Sequence, residues 1–310
     1  MASPRAKPLT PFALLAALLL VLGGAGPAAA QDDRFADVEI QRQQVADGLH
    51  MLQGAGGNIG ALVGEDGTFL IDDQFAPLTD KIQAALGEIT DRPVKYVFNT
   101  HWHGDHTGGN ENFGEAGAAI VAHRNVRKRL SAQQMRRMEV DTLQAASDEA
   151  LPVITFTDSV SFHLNGQTLR VGHTRPAHTD GDAVVYFPDA NAVHTGDIYF
   201  AGAYPFIDLE SGGSVNGIIA AANNILDRID ENTEVIPGHG ALSNQRELRA
   251  YRDMLVTVRD RVQAMIEEGR SLGEVLAAEP SAEYDAEYGQ GFIGPERFVT
   301  SIYRSLTSDR

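Results

Sequence analysis

The chain has 310 residues, a formal net charge of −17 at pH 7 and no cysteine. A protein this acidic repels nucleic acid and anionic lipid, which disfavours a nuclease or a protein that binds a membrane surface. Without disulfides, its stability must come from a core, for which 43% hydrophobic residues suffice, and from any bound metal.

The start of the chain has the organisation of a secretory signal peptide. Arg5 and Lys7 form a basic beginning, an apolar stretch runs over residues 12–22, and Ala28 to Ala30 are the small residues that precede cleavage. The apolar stretch is too short for a membrane span. We therefore predict a signal peptide over residues 1–30 and a mature chain over 31–310. The mature chain would have no membrane contact and would lie in the bacterial periplasm or outside the cell.

Short apolar runs separated by turn signals follow in the mature chain. The sequences Gly64-Glu-Asp-Gly67 and Asn165-Gly166 predict hairpin turns between neighbouring strands. The predicted strands cover residues 37–41, 48–53, 58–63, 68–72, 94–98, 118–122, 159–164, 168–173, 183–187, 192–195 and 234–236.

Helical patterns lie between and after these strands. We predict helices over 77–86, from about Ser214 along an apolar stripe, from an Asn244/Glu247 capping box to about residue 268, and over 295–306. Residues 126–146 are polar, with weak helical spacing. Two halves of strands followed by helices indicate two mostly antiparallel sheets packed face to face with helices outside.

The motif Asn99-Thr-His-Trp-His-Gly-Asp-His106 follows the predicted strand 94–98. Imidazole and carboxylate groups are the ligands that suit zinc and similar divalent metals. On a tight turn, His101 and His103 would point to one place, and Asp105 and His106 to a second place a few ångströms away. Trp102 would pack beneath the motif.

Three further candidate ligands lie where other strands or apolar segments end beside a glycine or proline. They are His178, Asp197 and His239. Loops held by a rigid sheet edge are where catalytic groups collect.

Taken together, these seven residues resemble the motifs of the metallo-β-lactamase superfamily, over nearly all of the mature chain. The resemblance implies an α+β four-layer αββα sandwich, with a hydrolase domain over residues 31–310 that ends in a helical extension. It implies one zinc bound by His101, His103 and His178, a second bound by Asp105, His106 and His239, and Asp197 bridging both. Asp72 matches an early structural aspartate of the family.

The implied activity is that of a dinuclear zinc hydrolase acting on a small molecule. A hydroxide held by the metals, available because zinc lowers the pKa of bound water to about 7, would attack an ester, lactone, thioester or lactam carbonyl. Asp105 is the catalytic candidate, because its carboxylate can orient the nucleophile or move a proton. Iron and manganese are alternatives to zinc. Nothing in the sequence indicates an oligomeric state.

Two departures bear on the branch of the family. Asp197 stands where zinc β-lactamases usually have Cys or Ser, and no Lys or Arg occurs between Arg175 and Arg228 to bind a drug carboxylate. Both disfavour efficient hydrolysis of β-lactam antibiotics and favour the lactonase, thioesterase and glyoxalase-type branches. A β-lactamase and an iron-dependent sulfur dioxygenase-like enzyme stay open as alternatives. A metal-stabilised binding module would need a closed coordination shell.

Ten further polar and aromatic residues have other expected roles. Five histidines lie in strands or at strand ends without a ligand pattern and are expected to be structural: His50, His123, His163, His173 and His194. Five residues on predicted loops are candidates for shaping the pocket: Asn58, Tyr199, Tyr204, Phe206 and Asn216.

Overall fold

The computed structural model describes residues 34–132, 134–135, 142–143 and 147–308, so the predicted signal peptide lies outside the described residues. The chain divides into two compact units, residues 1–36 and 37–310, and the fold below is that of the second. Among the described residues, none of the helices is long and apolar enough to cross a membrane.

A seven-stranded mixed sheet forms the first half of the fold, with strand order β1-β2-β3-β4-β5-β6-β9. Neighbours are antiparallel from β1 to β4 and parallel from β4 to β9. The strands are β1 (Gln41–Ala46), β2 (Leu49–Gln53), β3 (Ile59–Leu62), β4 (Thr68–Ile71), β5 (Val94–Asn99), β6 (Ala119–His123) and, after a two-stranded hairpin of β7 (Gln134–Met135) and β8 (Thr142–Leu143), β9 (Ile154–Phe156).

A six-stranded sheet follows, in which only β13 and β14 are parallel neighbours. Its strands are β10 (Ser159–Leu164), β11 (Gln167–His173), β12 (Ala183–Phe187), β13 (Ala192–His194), β14 (Glu234–Ile236) and β15 (Ser243–Asn244). Asn165 and Gly166 have φ of 53° and 71°, which is the left-handed backbone that a two-residue hairpin between β10 and β11 requires.

Nine α-helices occur in the described part of the chain, and polar side chains cap several of them. Asn244 accepts a hydrogen bond from the Glu247 amide, but the Glu247 carboxylate accepts from Ser243, so half of the predicted capping box forms. The helices are α1 (Thr79–Gly87), α2 (Gly104–Thr107), α3 (Asn110–Glu115), α4 (Arg124–Leu130), α5 (Val215–Leu226), α6 (Gln245–Glu267), α7 (Leu272–Ala277), α8 (Asp285–Tyr288) and α9 (Pro295–Ser308).

The two sheets pack face to face through fully buried apolar side chains. Phe69 and Phe98 of the first sheet share a cluster with Val185 and Phe187 of the second. The other face of the second sheet packs against the apolar stripes of α5, α6 and α9. Each such side chain contributes roughly 1.5–3 kcal/mol of burial free energy. The predicted αββα sandwich is confirmed, with both sheets mixed.

Several local features differ from the predictions, and the short elements β7, β8, β15, α3, α7 and α8 were not predicted. The first strand lies at Gln41–Ala46 instead of residues 37–41, because this edge strand exposes polar side chains and lacks the apolar alternation that guided the prediction. Strand β9, half-exposed at the other edge of the sheet, was missed. The hairpins and the long helices were predicted close to their observed limits.

Candidate metal centre

Parallel strands bring the ligand-bearing loops together. Ile71 of β4 pairs with Phe98 of β5, so Asp72 lies beside the beginning of the histidine motif. Strands β13 and β14 are likewise parallel, which places Asp197 and His239 side by side just beyond their ends. Both pairs of strands therefore deliver polar side chains to one edge of the sandwich.

The histidine motif forms a short helix in place of the predicted tight turn. Helix α2 begins directly after His103, and its first turn carries Asp105 and His106 away from His101 and His103. Asn99 and Asn110 fix the flanks of the motif through reciprocal side-chain hydrogen bonds of 3.0 and 2.9 Å. The two predicted pointing directions are observed.

The loop that carries His178 is held by a buried carboxylate. Asp182 accepts hydrogen bonds from the backbone amides of His178 and Thr179 and from the Thr179 hydroxyl. Burial raises the pKa of Asp182, and these donors oppose that rise. The Ala183 amide donates to the Thr100 carbonyl over 2.9 Å, which joins this loop to the motif.

The first ligand group consists of His101, His103, His178 and Asp197, all buried. His103 Nδ1 lies 3.1 Å from His101 Nε2 and 2.8 Å from His178 Nε2. Asp197 Oδ2 lies 3.7 Å from His101 Nε2 and 3.4 Å from His178 Nε2. Ligand atoms of a tetrahedral zinc with bonds of about 2.0–2.1 Å are about 3.4 Å apart, so the group has the size of a zinc site.

The second ligand group consists of Asp105, His106 and His239. His106 Nε2 lies 3.2 Å from His239 Nε2 and 3.6 Å from Asp105 Oδ2. Asp197 Oδ1 lies 3.1 Å from His106 Nε2, so Asp197 presents one oxygen to each group. The Asp105 and His239 side chains are 28% and 30% exposed, so this second group faces the cavity.

Hydrogen bonds on the far side of each ring fix the tautomers. The Thr100 hydroxyl donates to Asp72 and must therefore accept from His101 Nδ1, 3.0 Å away. His103 Nε2 donates to Asp208 over 2.8 Å, and His178 Nδ1 donates to the Phe206 carbonyl over 2.7 Å. Each neutral ring then holds a lone pair on its other nitrogen.

These lone pairs point at one another. His103 Nδ1 and His178 Nε2 are 2.8 Å apart with no proton between them, which is repulsive unless a cation lies between them. His106 Nδ1 donates to Asp72, so its Nε2 is directed at Asp197 Oδ1, a buried atom that accepts no hydrogen bond in the described structure. The seven residues fit divalent metal ions.

The electrostatics favour positive charge at the second group. Burial lowers the pKa of His239, but Asp197 and Asp105 outweigh burial and raise it to about 9. Burial also opposes charge on His106, whose pKa Asp197, Asp105 and Asp72 raise well above its usual value. Burial and neighbouring histidines hold the pKa of His101 well below its usual range, which keeps this ring neutral.

Two glycines are required by close approach to the ligands. A Cβ at Gly57 would overlap the His106 imidazole, and a Cβ at Gly238 would overlap Asp197 Oδ1. The backbone at Gly57 is therefore the surface against which the His106 ring packs.

A cavity of about 740 Å³ opens over the second group, with His103, Asp105, Asp197 and His239 in its lining. Most of the remaining wall is apolar and aromatic. Two arginines that the sequence analysis did not assign to the site, Arg129 and Arg297, also line it. The loop between Arg175 and Arg228 supplies no cation, as its sequence indicates, and these two arginines come from α4 and α9 instead.

The remaining candidates divide between cavity and core. Tyr204, Phe206 and Trp102 line the cavity, with Trp102 also packed on Ala122 and Val126. Tyr199 is buried against Tyr251, and Asn216 pairs with Arg259 on the surface, so neither lines the cavity.

Two residues near the ligands have positioning roles. His194 Nε2 donates a hydrogen bond to the Asn58 carbonyl, and its Nδ1 accepts one from the Gly196 amide. These two bonds fix the backbone next to Asp197. Asp208, which orients His103, was missed because it lies 105 positions away in the sequence. Locally, Asp208 acts as the cap of the short helix that follows it, because its other carboxylate oxygen accepts a hydrogen bond from the Ser211 amide.

The other four histidines belong to neither ligand group and do not line the cavity. His123 and His173 stack with ring centroids 3.8 Å apart, His50 is buried beside Arg42, and His163 is exposed.

The family model of the metallo-β-lactamase superfamily matches residues 52–257. The lactamase-like protein aptB of Emericella nidulans is 29% identical over 231 residues, which cover 73% of this chain and 61% of that protein. A hydroxyacylglutathione hydrolase of Nitrosococcus oceani is 32% identical over 154 residues, 49% of this chain and 50% of that protein.

Solved structures show the same fold. A metallo-β-lactamase from Pontibacter korlensis matches with a TM-score of 0.59 at 20% identity, over 70% of this chain and 99% of that one. The sec-alkylsulfatase Pisa1 from Pseudomonas matches with a TM-score of 0.67 at 17% identity, over 86% of this chain and 50% of that one. The chain spans 61% and 50% of the lengths of these two curated relatives, and it belongs to the metallo-β-lactamase superfamily.

Proposed function

We propose that the chain is a dinuclear metallohydrolase that cleaves an ester, lactone or thioester bond of a small molecule. The observation that carries the proposal is the pair of ligand groups that share Asp197 and open on one side to a cavity. A structural metal site would be closed, whereas a catalytic one leaves a position open to substrate.

His101, His103 and His178 would hold one ion, Asp105, His106 and His239 a second, and Asp197 both. Zinc fits the ligand set best, with iron and manganese as alternatives. Ions bound there would supply Lewis acidity for the substrate carbonyl and a nucleophile derived from water at neutral pH.

Asp105 is positioned to act on the nucleophile or its proton. Its carboxylate lines the cavity and lies 3.3 Å from His239 Nε2. Burial raises its pKa, but His106 and His239 outweigh burial and hold it well below the usual range, so the group is an ionised acceptor at neutral pH. An ionised carboxylate beside the reacting atoms can orient a water or accept its proton.

The choice of carbonyl substrates rests on the bridging Asp197 and on the relatives named hydroxyacylglutathione hydrolase. One observation also favours hydrolysis of β-lactam antibiotics. Arg129 and Arg297 place cationic groups at the cavity, where a drug carboxylate could bind. β-Lactam hydrolysis is therefore the second candidate function.

The test is a substrate panel on purified protein, stripped of metal and reloaded with zinc, manganese or iron. The panel holds an acylglutathione thioester, a lactone, a chromogenic cephalosporin and a phosphodiester. We expect metal-dependent turnover of the thioester or lactone above that of the other two. Undiminished carbonyl hydrolysis by metal-free protein, or turnover of the phosphodiester alone, would refute the proposal.

We also propose that residues 1–30 are removed during export to the periplasm. The support is the basic, apolar and small-residue order of that segment. N-terminal sequencing of protein from the periplasmic fraction should begin at Gln31, and protein that still begins at Met1 would overturn this.

A further inference from the structure

Part of the cavity wall comes from residues 292–297, in the C-terminal part of the chain. Phe292, Ile293 and Arg297 line the cavity at the start of α9, together with Phe206 from the loop that follows Asp197. Phe292 is 75% exposed, although large apolar side chains are normally covered. An apolar ligand in the cavity would cover this ring.

Arg297 has contacts that hold its position and leave its charge unneutralised. Its guanidinium carbon lies 5.5 Å from the Phe206 ring centroid and 4.7 Å from that of Phe292. No carboxylate pairs with Arg297 among the residues that the structure describes. Aromatic faces orient a guanidinium and leave its N–H groups free to donate to a ligand.

Arg129, the other arginine at the cavity, differs from Arg297 because its guanidinium is paired with a carboxylate. Arg129 donates through Nε and Nη2 to both oxygens of Asp180, over 2.7 and 2.8 Å, and through Nη2 to the Ser211 carbonyl. This bidentate pair offsets its charge and occupies its hydrogen-bonding edge. Arg297 is therefore the arginine with capacity for an anion.

Phe206 connects Arg297 to the ligands. Its ring lies 5.7 Å from that of His103 on one side, and the Arg297 guanidinium carbon lies 5.5 Å from its centroid. A molecule that spans the Phe206 ring can have its scissile bond at the ligand groups and a charged end at Arg297. An apolar middle would then contact Phe206 and Phe292.

We propose that Arg297 is the specificity-determining residue of the site, and that the substrate carries an anionic group joined through an apolar body to the bond that is cleaved. The proposal rests on the proposed hydrolase function. It adds a statement that the superfamily assignment does not contain, because α9 lies beyond the residues that the family model matches.

A binding experiment tests the anion site without turnover. Trp102 is the only tryptophan and lines the cavity, so its fluorescence reports ligand entry. Octanoate and octanol are titrated into metal-loaded wild type, Arg297→Gln and Arg297→Lys. We expect Arg297→Gln to weaken octanoate binding about tenfold, Arg297→Lys to weaken it less, and octanol binding to stay the same.

Arg304→Gln is the matched control, because Arg304 is an exposed arginine of the same helix that does not line the cavity. It should leave both affinities unchanged. If Arg297→Gln, folded by circular dichroism, binds octanoate as tightly as wild type, the carboxylate binds elsewhere, at the metals for instance, and the proposal is wrong. If Arg297→Gln does not fold, two other measurements replace it. Octanoate affinity that is unchanged in Arg297→Lys, and unchanged in wild type at high salt, would equally overturn the proposal.

A kinetic experiment separates this proposal from the proposed function. The 4-nitrophenyl half-esters of glutarate, adipate and suberate are compared with uncharged 4-nitrophenyl esters of the same chain lengths. We expect wild type to prefer one charged ester through a lower KM, and Arg297→Gln to lose that preference. Equal hydrolysis of both series would refute the anion site and leave the hydrolase intact. Arg297-dependent octanoate binding without any ester or thioester hydrolysis would refute the proposed hydrolase function and leave the anion site intact.

Discussion

The seven candidate metal ligands form the floor of the cavity, and Phe206, Phe292 and Arg297 form part of its wall. Different kinds of contact hold these two regions in place. In the floor, the three histidines of the first group each donate to a second partner, so the ligand atoms have one orientation. In the wall, the Arg297 guanidinium lies over the rings of Phe206 and Phe292, and Phe292 is largely exposed. Rigid polar networks suit chemistry, whereas adaptable apolar contacts suit the choice of substrate.

The C-terminal extension connects the two regions. Phe298 of α9 stacks on Tyr204 with ring centroids 4.1 Å apart and an interplanar angle of 14°. The Tyr204 hydroxyl donates to Asp285 over 2.7 Å. These contacts fix the extension to the loop between Asp197 and Asp208. Changes in the floor should therefore alter metal content and rate, and changes in the wall should alter KM and stability.

Asp197→Ala is expected to have the largest effect. It removes the anion shared by both groups, so the ions would repel each other with less compensation. Hydrolysis should fall by ~10² or more, the scale of lost electrostatic preorganisation. Rate and metal content should be measured together, with circular dichroism to verify the fold. Wild-type activity with two bound metals would show that Asp197 does not bridge.

Asp208→Asn should have a smaller effect on the same region. The carboxylate accepts from both His103 and Ser211, whereas an amide offers a single acceptor oxygen, so one of these bonds must be lost. Loss of such a partner behind a ligand lowers metal affinity about 10–100-fold. Competition for the metal between the protein and a fluorescent chelator measures this affinity. Asp230→Asn, an exposed loop aspartate with similar local bonds, is the control. Equal affinities in the two variants would contradict the positioning role.

Tyr204→Phe tests the wall. It removes the hydroxyl that bonds Asp285 and the Ser281 carbonyl and keeps the stack on Phe298. We expect a loss of about 1 kcal/mol, a Tm lower by about 2–4 °C and a higher KM. Calorimetry and kinetics measure these. Metal content should be unchanged, and a loss of metal would mean that floor and wall are not separable.

The smallest effect concerns the histidines outside the floor. Burial and the stacked His173 lower the pKa of His123 to about 4, below the value of about 6.5 for an unfolded chain. His123 binds a proton less readily in the folded state than in the unfolded state. Its contribution to folding stability is therefore complete above pH 6.5 and is lost as pH falls towards 4. In chelated protein, His123→Gln should show a shallower fall of Tm over that window than wild type. An identical pH profile in the variant would argue against a buried neutral His123.

These regions also differ in how far the sequence predicted them. Four of the seven floor residues lie within six positions at the end of β5, and local spacing predicted where their side chains point. The αββα sandwich followed from strand and helix periodicity together with the family motifs. Asp208 and Arg297 were missed because they reach the site only through packing over long separations, for which a single sequence carries no local pattern.

Metal stoichiometry tests the central claim most directly. Protein purified without added metal, with activity measured on the same sample, is analysed by inductively coupled plasma mass spectrometry. Because two ligand groups share Asp197, we predict about two divalent ions per chain in fully active wild type. A stable metal content near zero in active protein would contradict the account.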